Sequence, residues 1–177
     1  LQTYAQALAR GREDVRLKLN FYDDVRDSAE ALQRNKADLA VVRPDVLLPE
    51  NGLTLAILHD EALLIAAPEA AGIENFPDLA RKRLGVVERH AADMPFLTNL
   101  LAFYDFSAQP AAEPVPETGL GPARIALVPL TPQEVTSAIA EGRVDAVAVI
   151  AAPASKAAIS TVRAVEAASA EKKIDRK

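Results

Sequence analysis

The sequence of 177 residues contains no cysteine and no tryptophan, and it has only two histidines. Without cysteine the chain forms neither a disulfide nor a cysteine-ligated zinc site, and two histidines are too few for a His-rich metal centre. Every apolar run is shorter than the roughly 18 residues that a membrane-spanning helix needs. The small numbers of cysteine and histidine lead us to expect no metal, and we expect no cofactor. The net charge of −5 comes without a basic stripe, so we also expect no nucleic-acid partner.

Signatures of common catalytic centres are missing as well. The sequence contains no G-x-S-x-G nucleophile elbow, no H-E-x-x-H zinc motif and no Walker phosphate-binding loop. His59 stands beside Asp60 and Glu61, a combination that can supply acid–base catalysis, but a polar turn explains these residues better. We therefore expect a protein that is not an enzyme.

A strand–helix–strand pattern comes early in the chain. Residues 15–21 alternate apolar and polar side chains, which is the period of a strand with one polar face. Asp24 stands where a helix N-cap is expected, and Asn35 where that helix would end in a left-handed conformation. Residues 39–42 then predict a short buried strand.

The same pattern returns 107 residues later, so that Thr131 aligns with Asp24. Residues 125–128 and 146–150 predict the two strands, and Thr131 with Glu134 has the spacing of a helix capping box. Two strand–helix–strand units of one design are the interpretation we prefer. Chance similarity within an alanine-rich chain is the alternative.

Further elements lie between and after these units. Apolar patterns predict strands at 53–58, 63–67 and 84–87, and helices at 92–104 and from Pro153 onward. Residues 110–122 are rich in proline and glycine and predict a loop. Strands that alternate with helices predict an α/β fold with a largely parallel sheet, which binds ligands at the carboxyl ends of its strands.

Four segments carry a resemblance to a known family. Residues 30–45 resemble the helix, turn, Asp, strand and polar loop of type II periplasmic solute-binding proteins, and residues 73–87 resemble the segment between their lobes. Together with residues 127–135 and 142–150, the sequence is most similar to the TAXI family of TRAP-transporter solute receptors.

The resemblance implies a two-lobed type II periplasmic-binding-protein-like α/β fold. Lobe I would comprise residues 1–62 and 151–177, and lobe II residues 63–150. It also implies that the chain is an incomplete fragment, which lacks the first strand and the C-terminal part of that fold.

The resemblance further implies a receptor that captures a small organic anion or amino acid, a carboxylate-bearing solute, in a cleft between the lobes. Hinge closure would present this solute to a membrane transporter or a sensor subunit. The protein would be periplasmic, or membrane-anchored and facing the periplasm, with its targeting segment outside this chain. The alternative is the effector-binding domain of a LysR-like transcription regulator, which has the same architecture.

Polar side chains that follow predicted strands are the candidate ligand-binding residues. They are Tyr22, Asp23, Arg43, Asp45, Glu88, Arg89, His90, Thr131 and Ser155. An arginine among them can hold a carboxylate through two parallel hydrogen bonds.

Structural roles are the alternatives for several of these residues. Arg43 and Asp45 can pair with each other, Asp23 and Thr131 can cap helices, and Ser155 can lie in an exposed first turn. Asp145 directly precedes a predicted buried strand, and we expect it to have a structural role.

Overall fold

The computed structural model describes residues 2–11, 16–58, 60–110 and 123–174. The chain divides into two compact units, Leu1–Leu53 and Thr54–Lys177. Within the described residues, no helix is both long enough and apolar enough to cross a membrane.

The first unit contains two helices, α1 (Gln2–Gly11) and α2 (Val25–Gln33). Asp24 caps α2, as predicted, because its carboxylate accepts a hydrogen bond of 2.7 Å from the backbone N–H of Arg26. Asn35 follows the helix with a φ of 55°, which confirms the predicted left-handed position.

The predicted strands of the first strand–helix–strand unit are wrong. Within the described residues, neither 16–21 nor 39–42 is hydrogen-bonded into a sheet, and the same holds for residues 53–58. A strand needs a neighbouring backbone to pair its N–H and C=O groups, and none is provided here. In the described residues, the predicted strand–helix–strand pattern is therefore formed once, by its second occurrence at residues 124–151.

Apolar side chains of these segments remain exposed. Leu53 is 92% exposed and Leu55 and Ile57 are each 77% exposed. Among the described residues of the first unit, the buried apolar side chains are those of Ala29, Ala31 and Pro49. This unit therefore buries little apolar surface of its own.

The second unit contains a five-stranded mixed sheet. Its strands are β1 (Ala62–Ala66), β2 (Arg83–Val87), β3 (Ser107–Pro110), β4 (Arg124–Leu130) and β5 (Ala146–Ala151). Its helices are α3 (Asp93–Phe103), α4 (Val135–Ala140) and α5 (Lys156–Ile174), with 3-10 turns at Glu69–Ala71 and Phe76–Leu79.

The strand order in the sheet is β1-β5-β2-β4-β3. β5, β2, β4 and β3 run parallel, and β1 pairs antiparallel with β5. The expected α/β class, with a largely parallel sheet, is confirmed. So are the strands predicted at 63–67, 84–87, 125–128 and 146–150, whereas β3 was not predicted and residues 111–122 of the expected loop lie outside the described residues.

Helices cover both faces of this sheet. α4 and α5 pack on one face and α3 on the other, and successive residues of β2 alternate between them: Val86 faces α3 and Val87 faces α4 and α5. Gly85 lies close against Leu130: a Cβ at this position would be 2.5 Å from Cδ1 of Leu130, so that the leucine side chain would have to shift. The three layers hold the parallel strands in register.

The packing of α5 places it in the second unit, where it contacts α4, β5 and β1 through Ala158, Val165 and Ala168. The apolar residues of α5 thereby complete one face of the sheet. The lobe boundaries that the resemblance implies, which group residues 151–177 with residues 1–62, stay a prediction.

An ion pair fixes the edge at which the parallel strands begin. Asp145, just before β5, accepts hydrogen bonds from the backbone N–H, Nε and Nη2 of Arg83 in β2, at 2.8, 3.0 and 2.8 Å. Partial burial raises the pKa of Asp145, but the hydrogen bonds from Arg83 outweigh it, and the pKa lies below its ordinary value. The expected structural role of Asp145 is confirmed.

Candidate functional site

The carboxyl ends of β2, β4 and β5 meet at one edge of the sheet, which we call the carboxyl edge. β1 runs in the opposite direction and pairs its first residue, Ala62, with Ala151 at the end of β5. The residue before β1, Glu61, therefore belongs to this edge as well. Ligands of open parallel sheets bind at such edges.

Five of the candidate ligand-binding residues lie at the carboxyl edge of the second unit. Glu88, Arg89 and His90 follow β2, Thr131 follows β4, and Ser155 follows β5. Because these strands are parallel neighbours, their order in the sheet brings residues from distant parts of the sequence to a common edge.

Arg89 extends across the end of β5. Its Nη1 donates a hydrogen bond of 3.0 Å to the carbonyl oxygen of Ile150 and lies 3.6 Å from Oε1 of Glu61. The side chains of Arg89 and Glu61 are 32% and 20% exposed. The guanidinium is thus held in place and still reached by solvent, as a group that recognises a carboxylate has to be.

Asp93 shapes the loop that carries Arg89. This side chain is 1% exposed, and its Oδ2 accepts the backbone N–H groups of both Arg89 and His90 at 3.0 Å. Asp93 is also the first residue of α3, where a negative charge is favourable. The backbone at Arg89 is therefore fixed by the start of α3.

Thr131 departs from the capping role that was its alternative. Its backbone N–H and its hydroxyl both donate to Oε2 of Glu134, at 2.7 and 2.6 Å. These two bonds lower the pKa of Glu134, the hydroxyl having the larger effect. The carboxylate half of the capping box is formed, but the helix starts only at Val135 and the Thr131 side chain caps no backbone N–H.

Ser155 begins α5. Its Oγ accepts the backbone N–H of Ala158 at 3.2 Å, the hydrogen bond of an N-cap. Lys156 follows at the first position of the helix and is exposed. Ser155 is half-buried and serves as this N-cap, whereas the exposed first turn expected as its alternative is found at Lys156. A ligand-binding role for Ser155 stays a prediction.

The other four candidates belong to the first unit. Arg43 and Asp45 form a two-point ion pair, with Nη2–Oδ2 at 2.7 Å and Nε–Oδ1 at 3.3 Å. Tyr22 is 43% exposed, and Asp23 is exposed while Asp24 serves as the cap of α2. A ligand-binding role for these four residues stays a prediction.

Two residues of the carboxyl edge were not among the candidates. An acidic residue in the first turn of a helix that follows a strand is the local signal that identifies Asp93. Glu61 has no such signal, because its place depends on the antiparallel pairing of β1 with β5. His59 lies outside the described residues.

The carboxyl edge offers the Arg89 guanidinium, a group that recognises anions, together with several acids. Groups of three or more His, Asp or Glu side chains placed to hold a metal ion do not occur in the described part of the chain. What the geometry provides is an oriented guanidinium beside hydrogen-bonding side chains. Comparisons with protein-family models, curated proteins and solved structures give no match to this chain.

Proposed function

We propose that this chain is a non-enzymatic binding module that captures a small carboxylate-bearing solute at the carboxyl edge of the second unit. The observation that supports this proposal most is the placement of Arg89. Its guanidinium is anchored by one hydrogen bond to Ile150. An arginine presents five N–H donors in a planar fork, so donors remain for a carboxylate.

The proposal includes the role that the sequence resemblance implies. The module would be one part of a two-lobed receptor of the TAXI type, located in the periplasm, that passes its solute to a membrane transporter or sensor. A closed state would then be favoured by solute contacts, since a ligand shifts a conformational equilibrium by its differential affinity. These statements rest on the residues of the resemblance.

Titration of the purified chain with acetate, succinate and citrate tests the proposal, with calorimetry and the melting temperature as readouts. A solute at 100 times its Kd raises the free energy of unfolding by about 2.7 kcal/mol, which a melting experiment resolves. We expect Arg89→Ala to lower the affinity at least about tenfold, because a charge-assisted pair is lost.

Arg124→Ala is the matched control. Arg124 is an exposed arginine at the first residue of β4, at the opposite end of the parallel strands, so its removal changes the net charge equally. Equal losses in both variants would show a general charge effect. Failure of all three carboxylates to bind the unmodified chain would refute the proposal.

A further inference from the structure

The contact between Glu61 and Arg89 joins three strands of the carboxyl edge. Arg89 follows β2, its hydrogen-bond acceptor Ile150 lies in β5, and Glu61 precedes β1. β5 lies between β2 and β1 in the sheet. A carboxylate supplied by the chain itself thus sits beside the guanidinium that is proposed to receive a carboxylate from solution.

We propose that Glu61 is an internal competitor for Arg89, which a bound carboxylate displaces; this inference rests on the function proposed above. The Oε1–Nη1 distance of 3.6 Å is longer than an N–H···O hydrogen bond, whose usual range ends near 3.2 Å. The contact is therefore electrostatic. A solute carboxylate that forms two parallel hydrogen bonds with the guanidinium gains more than this contact provides.

The hydrogen bonds of the loop that carries Arg89 distinguish a competitor role of Glu61 from a role in holding this loop. The loop backbone is held by Asp93, which binds the N–H groups of Arg89 and His90, and the guanidinium itself is held by the carbonyl of Ile150. Neither set of hydrogen bonds involves Glu61. Removing the Glu61 charge is therefore expected to change the affinity for carboxylates and to leave these hydrogen bonds of the Arg89 loop in place.

Two substitutions at position 61 test the inference, with succinate as the probe and calorimetry as the readout. Glu61→Gln removes the charge, and Glu61→Asp keeps the charge but shortens the side chain. We expect each to raise the affinity for succinate by about two- to five-fold, the worth of a partly exposed ion pair. Glu74→Gln, an exposed position that precedes the Phe76–Leu79 turn, is expected to change nothing.

Each outcome decides the question. A gain for Glu61→Gln without a gain for Glu61→Asp would show a net-charge effect and overturn the competitor role. Unchanged or reduced affinity in Glu61→Gln, with binding still lost in Arg89→Ala, would overturn the competitor role and leave the proposed function standing. Absence of succinate binding to the unmodified chain and to Glu61→Gln would overturn the competitor role, and failure of acetate and citrate to bind as well would overturn the proposed function. Far-UV circular dichroism checks that each variant is folded.

Discussion

Asp145→Asn is the substitution whose effect on stability can be worked out most directly. Asp145 accepts three hydrogen bonds from Arg83, at 2.8, 3.0 and 2.8 Å, and so joins the start of β5 to the start of β2. The Arg83 and Asp145 side chains are 13% and 25% exposed. Water can therefore replace the lost carboxylate only in part.

The expected loss lies between two limits. Breaking a fully buried ion pair costs about 3–5 kcal/mol, whereas an exposed pair contributes less than about 1 kcal/mol. The asparagine retains one oxygen for the backbone N–H of Arg83, but the guanidinium loses the charged, two-point contact with the Asp145 carboxylate. At this degree of burial we expect the free energy of unfolding to fall by about 2 kcal/mol.

Urea unfolding at pH 7, followed by circular dichroism, measures this loss. The dependence on urea should be unchanged, because the surface exposed on unfolding is the same. Asp105→Asn is the control: Asp105 is exposed and has a φ of 63°, which asparagine also tolerates. We expect Asp105→Asn to lower the free energy of unfolding by less than about 0.5 kcal/mol. A loss equally small in Asp145→Asn would refute the reasoning.

The same pair predicts a dependence on pH. The pKa of Asp145 in the folded protein lies below the value of about 3.9 for an unfolded aspartate. Its stabilising contribution is then fully present above that value and is lost as the pH falls through the folded pKa. The difference between the original chain and Asp145→Asn should shrink below about pH 4. If the difference in the free energy of unfolding stayed constant in acid, the loss of stability in Asp145→Asn would come from packing and not from the charge of Asp145.

Two further predictions concern the packing of each unit. Gly85→Ala should destabilise the second unit by about 1–3 kcal/mol, because the new methyl group meets Leu130 at 2.5 Å; unfolding by urea measures this, and adding Leu130→Val should recover part of the loss. A chain of residues 54–177 should unfold cooperatively on heating, since it contains both apolar clusters of the sheet. Residues 1–53 alone should show no cooperative transition, since their described part buries little more than Ala29, Ala31 and Pro49.

The parallel strands of the second unit could be predicted because their signal is local. β5 is apolar along its whole length and every residue is buried, as expected for a strand covered by helices on both faces. The position of Arg89 at the carboxyl edge could be predicted as well, since Arg89 lies two residues after a buried strand. A few residues that are adjacent in the sequence therefore determine both the strands and the position of Arg89.

The remaining features depend on partners that are distant in the sequence. Residues 16–21 have the alternation of a strand, but alternation does not supply the neighbouring backbone that a strand requires. The packing partners of α5 depend on which sheet its apolar stripe covers, and that stripe covers β5 and β1. The position of Glu61 likewise follows from the pairing of Ala62 with Ala151.

Two arginines near the ends of the central strand β2 explain why we propose a binding site at the carboxyl edge and not at the opposite edge. Arg83 begins the strand and is held at hydrogen-bonding distance by both oxygens of Asp145. Arg89, two residues after the strand, donates to a backbone carbonyl and meets its nearest acid at 3.6 Å. A guanidinium with a two-point carboxylate partner stabilises the sheet, and a solute would have to break that pair. A guanidinium that is oriented by a carbonyl can take a carboxylate at much lower cost, which supports the binding role proposed for Arg89.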